Sequence, residues 1–257
     1  MIPKIIHYCW FGRNPMSEMA LRCIDSWKKY CPDYEIIAWN EDNFDINYND
    51  YVKEAYNSQK WAFVSDVARL YALVNFGGIY MDTDVEVIHP LDSLLICEAV
   101  LGFESDAQIS TGLMAASKGN KMFAEFLSDY DNQHFIRRDG SFDLTTNVTR
   151  VTNACFRYGF KPVDSLQVIS GLTLFPKDYF SPKDLITKQI VKTENTLVVH
   201  HFDGSWHSDE DRYIEKLSKK WSYMPGGNYV AKFMGIIKYR GIGTAIRETR
   251  GWIFRRR

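Results

Sequence analysis

Between Ala62 and Phe76 the apolar positions Val64, Val67, Tyr71 and Val74 recur at intervals of three and four, the period of a helix laying one face on a core. Gly77 and Gly78 follow, the residue type that closes a helix with a positive φ and turns the chain into its next element. That element, IYMDTDVEVI, has the pattern of a strand, in which Asp82 and Asp84 share one face while Met81, Thr83 and Val85 take the other. Upstream, IPKIIHYCWFG predicts a first strand ending in the turn residues Gly12, Arg13 and Asn14. Ala20, Ile24, Trp27 and Cys31 give a helical stripe stopped by Pro32, and Tyr34–Trp39 predicts a second strand. Strand, helix and strand with short connections open a right-handed parallel unit, so the class is α/β. Residues 40–58 are rich in Asp, Asn and Tyr and predict a loop with a short helix. Further on, Val100–Ser105 and Ile109–Ala116 predict a hairpin, Asn120–Asp131 and Asn147–Gly159 two helices, and Thr196–Val199 a late strand. Pro225-Gly226-Gly227-Asn228 has linker composition, which divides the chain into a domain over 1–225 and a segment over 226–257.

Charge adds chemistry to this frame. Two carboxylates on one strand face raise each other's pKa unless a cation lies between them. Hard oxygen ligands suit Mg²⁺ or Mn²⁺, which completes its shell with water and substrate phosphates. The plain alternative is a solvated strand edge. On the preceding helix Asp66 and Arg69 are neighbours, flanked by Ala62, Ser65 and Ala72, and no other charge lies between Ala62 and Phe76. Such a pair is either an ordinary ion pair or a ligand site, Asp for sugar hydroxyls and Arg for a phosphate or sugar oxygen. Trp10 stands at the carboxyl end of the first strand, where open α/β sheets bind ligands, and is either a core Trp or a ring that stacks on a base. His200, His201 and His207 crowd the end of the late strand beside Trp206, and imidazole can serve as a third metal ligand.

The run SDVARLYALVNFGGIYMDTD resembles the signature of glycosyltransferase family 32, whose sugar-binding region contains a D-x-D motif, and a similar run occurs in the glucosylating clostridial toxins. The resemblance implies a GT-A-like α/β fold with a Rossmann-type nucleotide half and a mixed, mostly parallel sheet over 1–225. It implies a metal on Asp82 and Asp84, completed by a C-terminal His, with His200 favoured after Val198-Val199 and His201 close behind. It places Trp10 against the base, implies donor contacts for Asp66, Arg69, Ser205 and Trp206, and makes Arg69 a catalytic cation beside Asp82 and Asp84. The implied reaction is retaining transfer from a nucleotide diphosphate sugar, UDP-sugar first, to a hydroxyl of a glycan or lipid-linked glycan in capsule or lipopolysaccharide synthesis. A nucleotide-sugar pyrophosphatase, a nucleotidyltransferase and a toxin-like protein glycosylator are the alternatives, since all can use the same metal site.

Composition bounds the setting. The 257 residues carry no run of about 18 apolar residues and no signal-peptide pattern at Met1–Gly12, and the five cysteines lack metal-ligand spacing. These features predict a cytoplasmic chain with buried thiols. From Lys232 onward eight Lys or Arg face one acid, Glu248, so the segment carries +7 and the remainder −8. Interleaved with Phe233, Ile236, Ile237, Tyr239 and Trp252, the basic residues predict either peripheral contact with an anionic membrane or a packed helix with a solvated basic face. Nothing in the chain points to nucleic acid.

Overall fold

A computed structural model describes residues 1–184, 187–204, 209–224 and 226–246. It divides into two compact units, Met1–Asp203 and Gly204–Arg257.

The first unit opens with β1 (Ile5–Cys9), α1 (Glu18–Tyr30) and β2 (Glu35–Trp39), and β1 pairs in parallel with β2. Ser17 caps α1 by accepting from the Ala20 amide, and Pro32 stands just beyond its end, as the apolar stripe predicts. After α2 (Asp50–Asn57) and α3 (Trp61–Phe76), β3 (Gly78–Met81) returns to the other side of β1, again in parallel. This reversal of direction across the sheet leaves a crevice at the carboxyl ends of β1 and β3, where doubly wound sheets place ligands. There follow β4 (Val85–Val87), a 3₁₀ turn (Asp92–Leu94), β5 (Ala99–Ser105) and β6 (Gln108–Ala116), then α4 (Lys121–Ser128), α5 (Asn147–Phe156), β7 (Gln167–Ile169), β8 (Leu172–Phe175), α6 (Lys177–Phe180) and β9 (Val198–His200).

The main sheet runs β2-β1-β3-β6-β5-β8-β7. Its pairings set β2, β1, β3, β5 and β8 in one direction and β6 and β7 against them, so the expected α/β class with a mixed, mostly parallel sheet is present. Apolar residues of α2, α3, α4 and α5 fill one face. The other face is filled by α1 with Trp27, and by the small β4-β9 sheet with Val85, Val87 and Val198. β7 and β8 had no sequence signal: a three-residue strand with Val168 outward on the sheet edge gives too little alternation to register.

Two local expectations change. α3 is not one-sided: Phe63, Val64, Val67, Ala68, Leu70, Ala72 and Leu73 are buried together with Asp66 and Arg69, while the predicted contact residues Tyr71 and Val74 are only partly covered. The stretch from Ile79 to Ile88 is not one strand, because β3 ends at Met81 and β4 belongs to the second sheet with β9.

In the second unit α7 (Asp209–Lys220) and α8 (Gly227–Arg240) form a helical hairpin. Gly226, at φ 79°, and Gly227 turn the chain into α8, so the stretch expected as a linker lies inside this hairpin. A side chain at Gly235 would meet Ile214, Arg240 pairs with Glu210 at 2.9 Å, and Lys238 lies over the Tyr213 ring. All five cysteines are thiols, and Cys9, Cys23, Cys31 and Cys155 are buried.

Candidate active site at the ends of β1, β3 and β9

The D-x-D run is a turn. The Val85 amide donates to the Asp82 carbonyl at 3.0 Å, and the Asp82 amide donates to Gly112 O of β6 at 2.8 Å. Along a straight strand two such residues would stand about 6.7 Å apart. The turn instead converges their carboxylates with His200, so that Asp82, Asp84 and His200 offer three ligand atoms within 4.8 Å of one another. His200 arrives by register, since β9 pairs with β4 at Val85↔His200. Its Nε2 lies 3.3 Å from Asp84 Oδ1, and its ring stacks on Phe202 at 3.9 Å. Gly112 makes room for it: a Cβ there would lie 2.6 Å from His200 Cε1.

Behind the turn stands Arg69, buried and with its donors shared among protein oxygens. One terminal nitrogen reaches Asp82 Oδ1 at 3.2 Å and donates to Thr111 O at 2.8 Å. The other meets Asp66 Oδ1 at 3.3 Å, and Nε donates to Ser65 O at 3.2 Å. The guanidinium lies 4.6 Å over the Tyr80 ring, whose hydroxyl donates to Asp82 Oδ1 at 2.9 Å. Asp66 accepts from the Asn147 amide at the start of α5, and Asn147 Nδ2 donates back to Asp66 O and to Tyr130. Arg69 thus anchors Asp82 and Asp66 at once. A bare sequence pattern shows the pair, not this sharing.

Burial pushes the Asp66 carboxyl up to about 6 against the pull of Arg69, and burial likewise raises Asp82. Asp84 goes the other way: burial opposes its charge, but His200 and the Asp203 amide, which donates to Oδ2 at 2.8 Å, hold it down at about 2. Burial would lower His200, and the surrounding carboxylates Asp84, Asp82 and Glu104 outweigh that and raise it. Two carboxylates, one imidazole and an orphaned buried His200 Nδ1 fit a divalent cation held by oxygen and nitrogen. A cation there must displace the His200 proton. Mn²⁺ affinity is therefore expected to rise about tenfold per pH unit below the His200 pKa and to level off above it. Calorimetry across pH 5.5–8.5 checks this, and a flat profile would remove His200 from the ligand set.

His201 is turned elsewhere. Its Nε2 lies 2.9 Å from Glu86 and its amide donates to Asp84 O, so it supports the turn from behind, whereas the sequence offered it as a ligand beside His200. Ser205 and Trp206 lie outside the described residues. Trp10 follows β1, half-buried and outside both core clusters, its indole N–H donating to Asn14 O at 2.7 Å. Trp10→Ala is expected to weaken nucleoside diphosphate binding by about 1–3 kcal/mol, read by calorimetry; unchanged affinity would give the ring a purely structural part. The sequence passed over Glu104, a carboxylate at a strand end that looks like any solvated turn residue.

Residues 17–101 match the family described as the glycosyltransferase sugar-binding region containing a DXD motif, as the resemblance anticipated. Inositol phosphoceramide mannosyltransferase 3 of Schizosaccharomyces pombe is 30% identical over 149 residues, 52% of this chain and 40% of that protein. Subversion of eukaryotic traffic protein A of Legionella pneumophila is 26% identical over 178 residues, 56% of this chain and 27% of that protein. The chain thus spans less than half the length of these curated relatives. Among solved structures, the PaToxG glycosyltransferase aligns at a TM-score of 0.48 and 20% identity over 61% of this chain and 69% of that one. Galactosyltransferase LgtC, solved with donor and acceptor sugar analogs, aligns at 0.43 and 14% over 80% and 90%.

Proposed function

We propose that this chain, which carries the sugar-binding region of the DXD glycosyltransferases, moves a hexose from a nucleotide diphosphate sugar to a hydroxyl of a glycan or lipid-linked glycan. The observation that carries the reading is the convergence of Asp82, Asp84 and His200 beside the buried Arg69. The three ligands would hold Mn²⁺ or Mg²⁺, which when bound supplies Lewis-acid stabilisation of the departing diphosphate. Arg69 fixes the Asp82 carboxylate and lends positive charge to the crevice. Trp10 takes the base, and Asp66 adds a donor contact. A UDP-sugar is the first donor to try, with retention at the anomeric carbon.

The test is incubation with each labelled nucleotide sugar and Mn²⁺, without acceptor. Slow release of free sugar supports transfer chemistry; release of nucleoside monophosphate would instead make the chain a pyrophosphatase, and a nucleotidyltransferase would release neither. The curated relatives named for inositol phosphoceramide favour a lipid-linked acceptor, while the capsule, lipopolysaccharide and toxin-like protein acceptors remain arms of the same assay.

A lipid-linked acceptor gives the basic segment a use. No helix among the described residues is long and apolar enough to cross a membrane. On the hairpin Tyr229, Val230, Met234, Ile242 and Ile246 are exposed among basic residues, a composition suited to peripheral docking at the inner face of the plasma membrane. Arg240 and Lys238 are already engaged within the hairpin, so the charge available for lipid lies mostly in residues 247–257, where five of the eight basic residues stand. Deleting 247–257 is expected to abolish salt-sensitive flotation with phosphatidylglycerol vesicles and to spare donor turnover. Equal flotation by both chains would end the docking idea.

A further inference from the structure

β5 and β6 do not pair evenly. Phe103 stands opposite Ile109 and Ser105 opposite Gln108, so Glu104 is the extra residue of a bulge. Bulges at strand ends re-aim a side chain, and they gather beside active sites. The next irregularity in the same hairpin lies between Val100 and Gly102, where β6 leaves β5 and pairs with β3 through Leu113 and Met114. The β6 residues in that opening build the floor of the site: Thr111 O receives Arg69, Gly112 O receives the Asp82 amide, and Gly112 underlies His200. Glu104 stands on β5 two residues beyond Gly102, where that opening ends.

Its surroundings are unusual for a carboxylate. Glu104 is only partly exposed and has no hydrogen-bond or ion-pair partner among the described residues, whereas Asp66, Asp82, Asp84 and Glu86 are each paired. Burial raises its pKa, and the charges it feels are those of His200 and Asp82. β5 runs in the direction of β1 and β3, so Glu104, next to the carboxyl end of β5, stands on the same edge of the sheet as the metal cluster. A carboxylate left unpaired in a partly buried place costs free energy that a bound donor group would recover. That group is not phosphate, since two anions would repel, and it is not the cation, whose three ligands converge without Glu104. A neutral hydroxyl fits.

We propose, building on the glycosyl-transfer reading, that Glu104 is the sugar-recognition carboxylate of this site, accepting a hydrogen bond from a hydroxyl of the donor hexose or from the incoming acceptor hydroxyl. In either place it orients a sugar against the diphosphate bond without touching the nucleotide.

The experiment compares Glu104→Ala and Glu104→Gln with the unaltered chain, using UDP, the nucleotide sugar turned over fastest, and Mn²⁺. Affinity for UDP with Mn²⁺ is expected to stay within about twofold in both variants. If the donor hexose is the partner, Glu104→Ala binds the intact nucleotide sugar about tenfold more weakly while UDP is unaffected. If the incoming hydroxyl is the partner, donor affinity holds and release of sugar to water slows about tenfold, with Glu104→Gln, which keeps an acceptor oxygen, in between. Loss of UDP and Mn²⁺ affinity in step with activity would make Glu104 part of the metal site and overturn the assignment. So would variants indistinguishable from the unaltered chain. An unaltered chain that releases no sugar from any nucleotide sugar fails the transfer reading itself, and this assignment with it.

Discussion

Replacing Asp84 by Ala is expected to lower metal-dependent donor turnover by about 10³-fold or more while the fold survives. Removing one of three ligands forfeits several kcal/mol of Lewis-acid stabilisation, and each 1.36 kcal/mol is tenfold in rate. Asp84 also has a structural part, because its Oδ2 takes the Asp203 amide and its Oδ1 faces His200. Its carboxyl is held at about 2, below the unfolded value, so its ionised form stabilises the fold above pH 4 and that contribution fades as pH falls toward 2. Asp84→Asn separates the two parts: the amide oxygen still accepts from Asp203, and only the charge is gone. The Asn variant should match the unaltered chain only as pH falls to about 2 and lie increasingly below it toward neutrality, with turnover lost at neutral pH. Full turnover by either variant in chelator would remove the metal from the mechanism.

Most of what positions this site could be read from residue order, because it depends on local chemistry. The α3 helix, the Gly77-Gly78 stop and the β1-α1-β2 opening all rest on periodicity and punctuation, which act over a few residues. So does the pairing of Asp66 with Arg69, a matter of helical spacing. What escaped detection depends on partners distant in sequence. IYMDTDVEVI has strand composition throughout, and only the Asp82 amide on Gly112 and the β4-β9 pairing fold it into a turn. The choice between His200 and His201 is likewise made by β9 register: adjacent residues on a strand face opposite ways, and the register sends His200 to Asp84 and His201 to Glu86. Glu104 needed a bulge, and no composition rule marks where a hairpin gains a residue. The depth of α3 was also hidden, since a helix covered on both sides has no clean stripe, and of the four positions that kept the period Val64 and Val67 are buried while Tyr71 and Val74 are only partly covered.

Arg69→Met is expected to destabilise the first unit by about 3–5 kcal/mol, the cost of leaving buried carboxylates without their cation. Both Asp66 and Asp82 lose their partner in that variant, and the carbonyls of Thr111 and Ser65 lose their donor. Arg69→Lys should not restore the wild-type value. An ammonium on a flexible stem keeps the charge, but it cannot span four oxygens held in the plane of a guanidinium. The sign of the pH dependence follows from the carboxyls. Burial already lifts Asp66 to about 6, above its unfolded value, so its ionisation destabilises the fold as pH rises through that range. Without Arg69 both carboxyls rise further, and the deficit of the Met variant should widen from pH 5 to pH 8. Adding Asp66→Asn to Arg69→Met removes one of the two stranded charges while leaving an oxygen for the Asn147 amide, and should recover part of the loss at pH 8 but little at pH 5. Urea unfolding at the two pH values measures all four chains. Equal stability of Arg69→Met and the unaltered chain at pH 8 would mean that Asp66 and Asp82 do not depend on this cation, and the electrostatic account of the site would fall with that result.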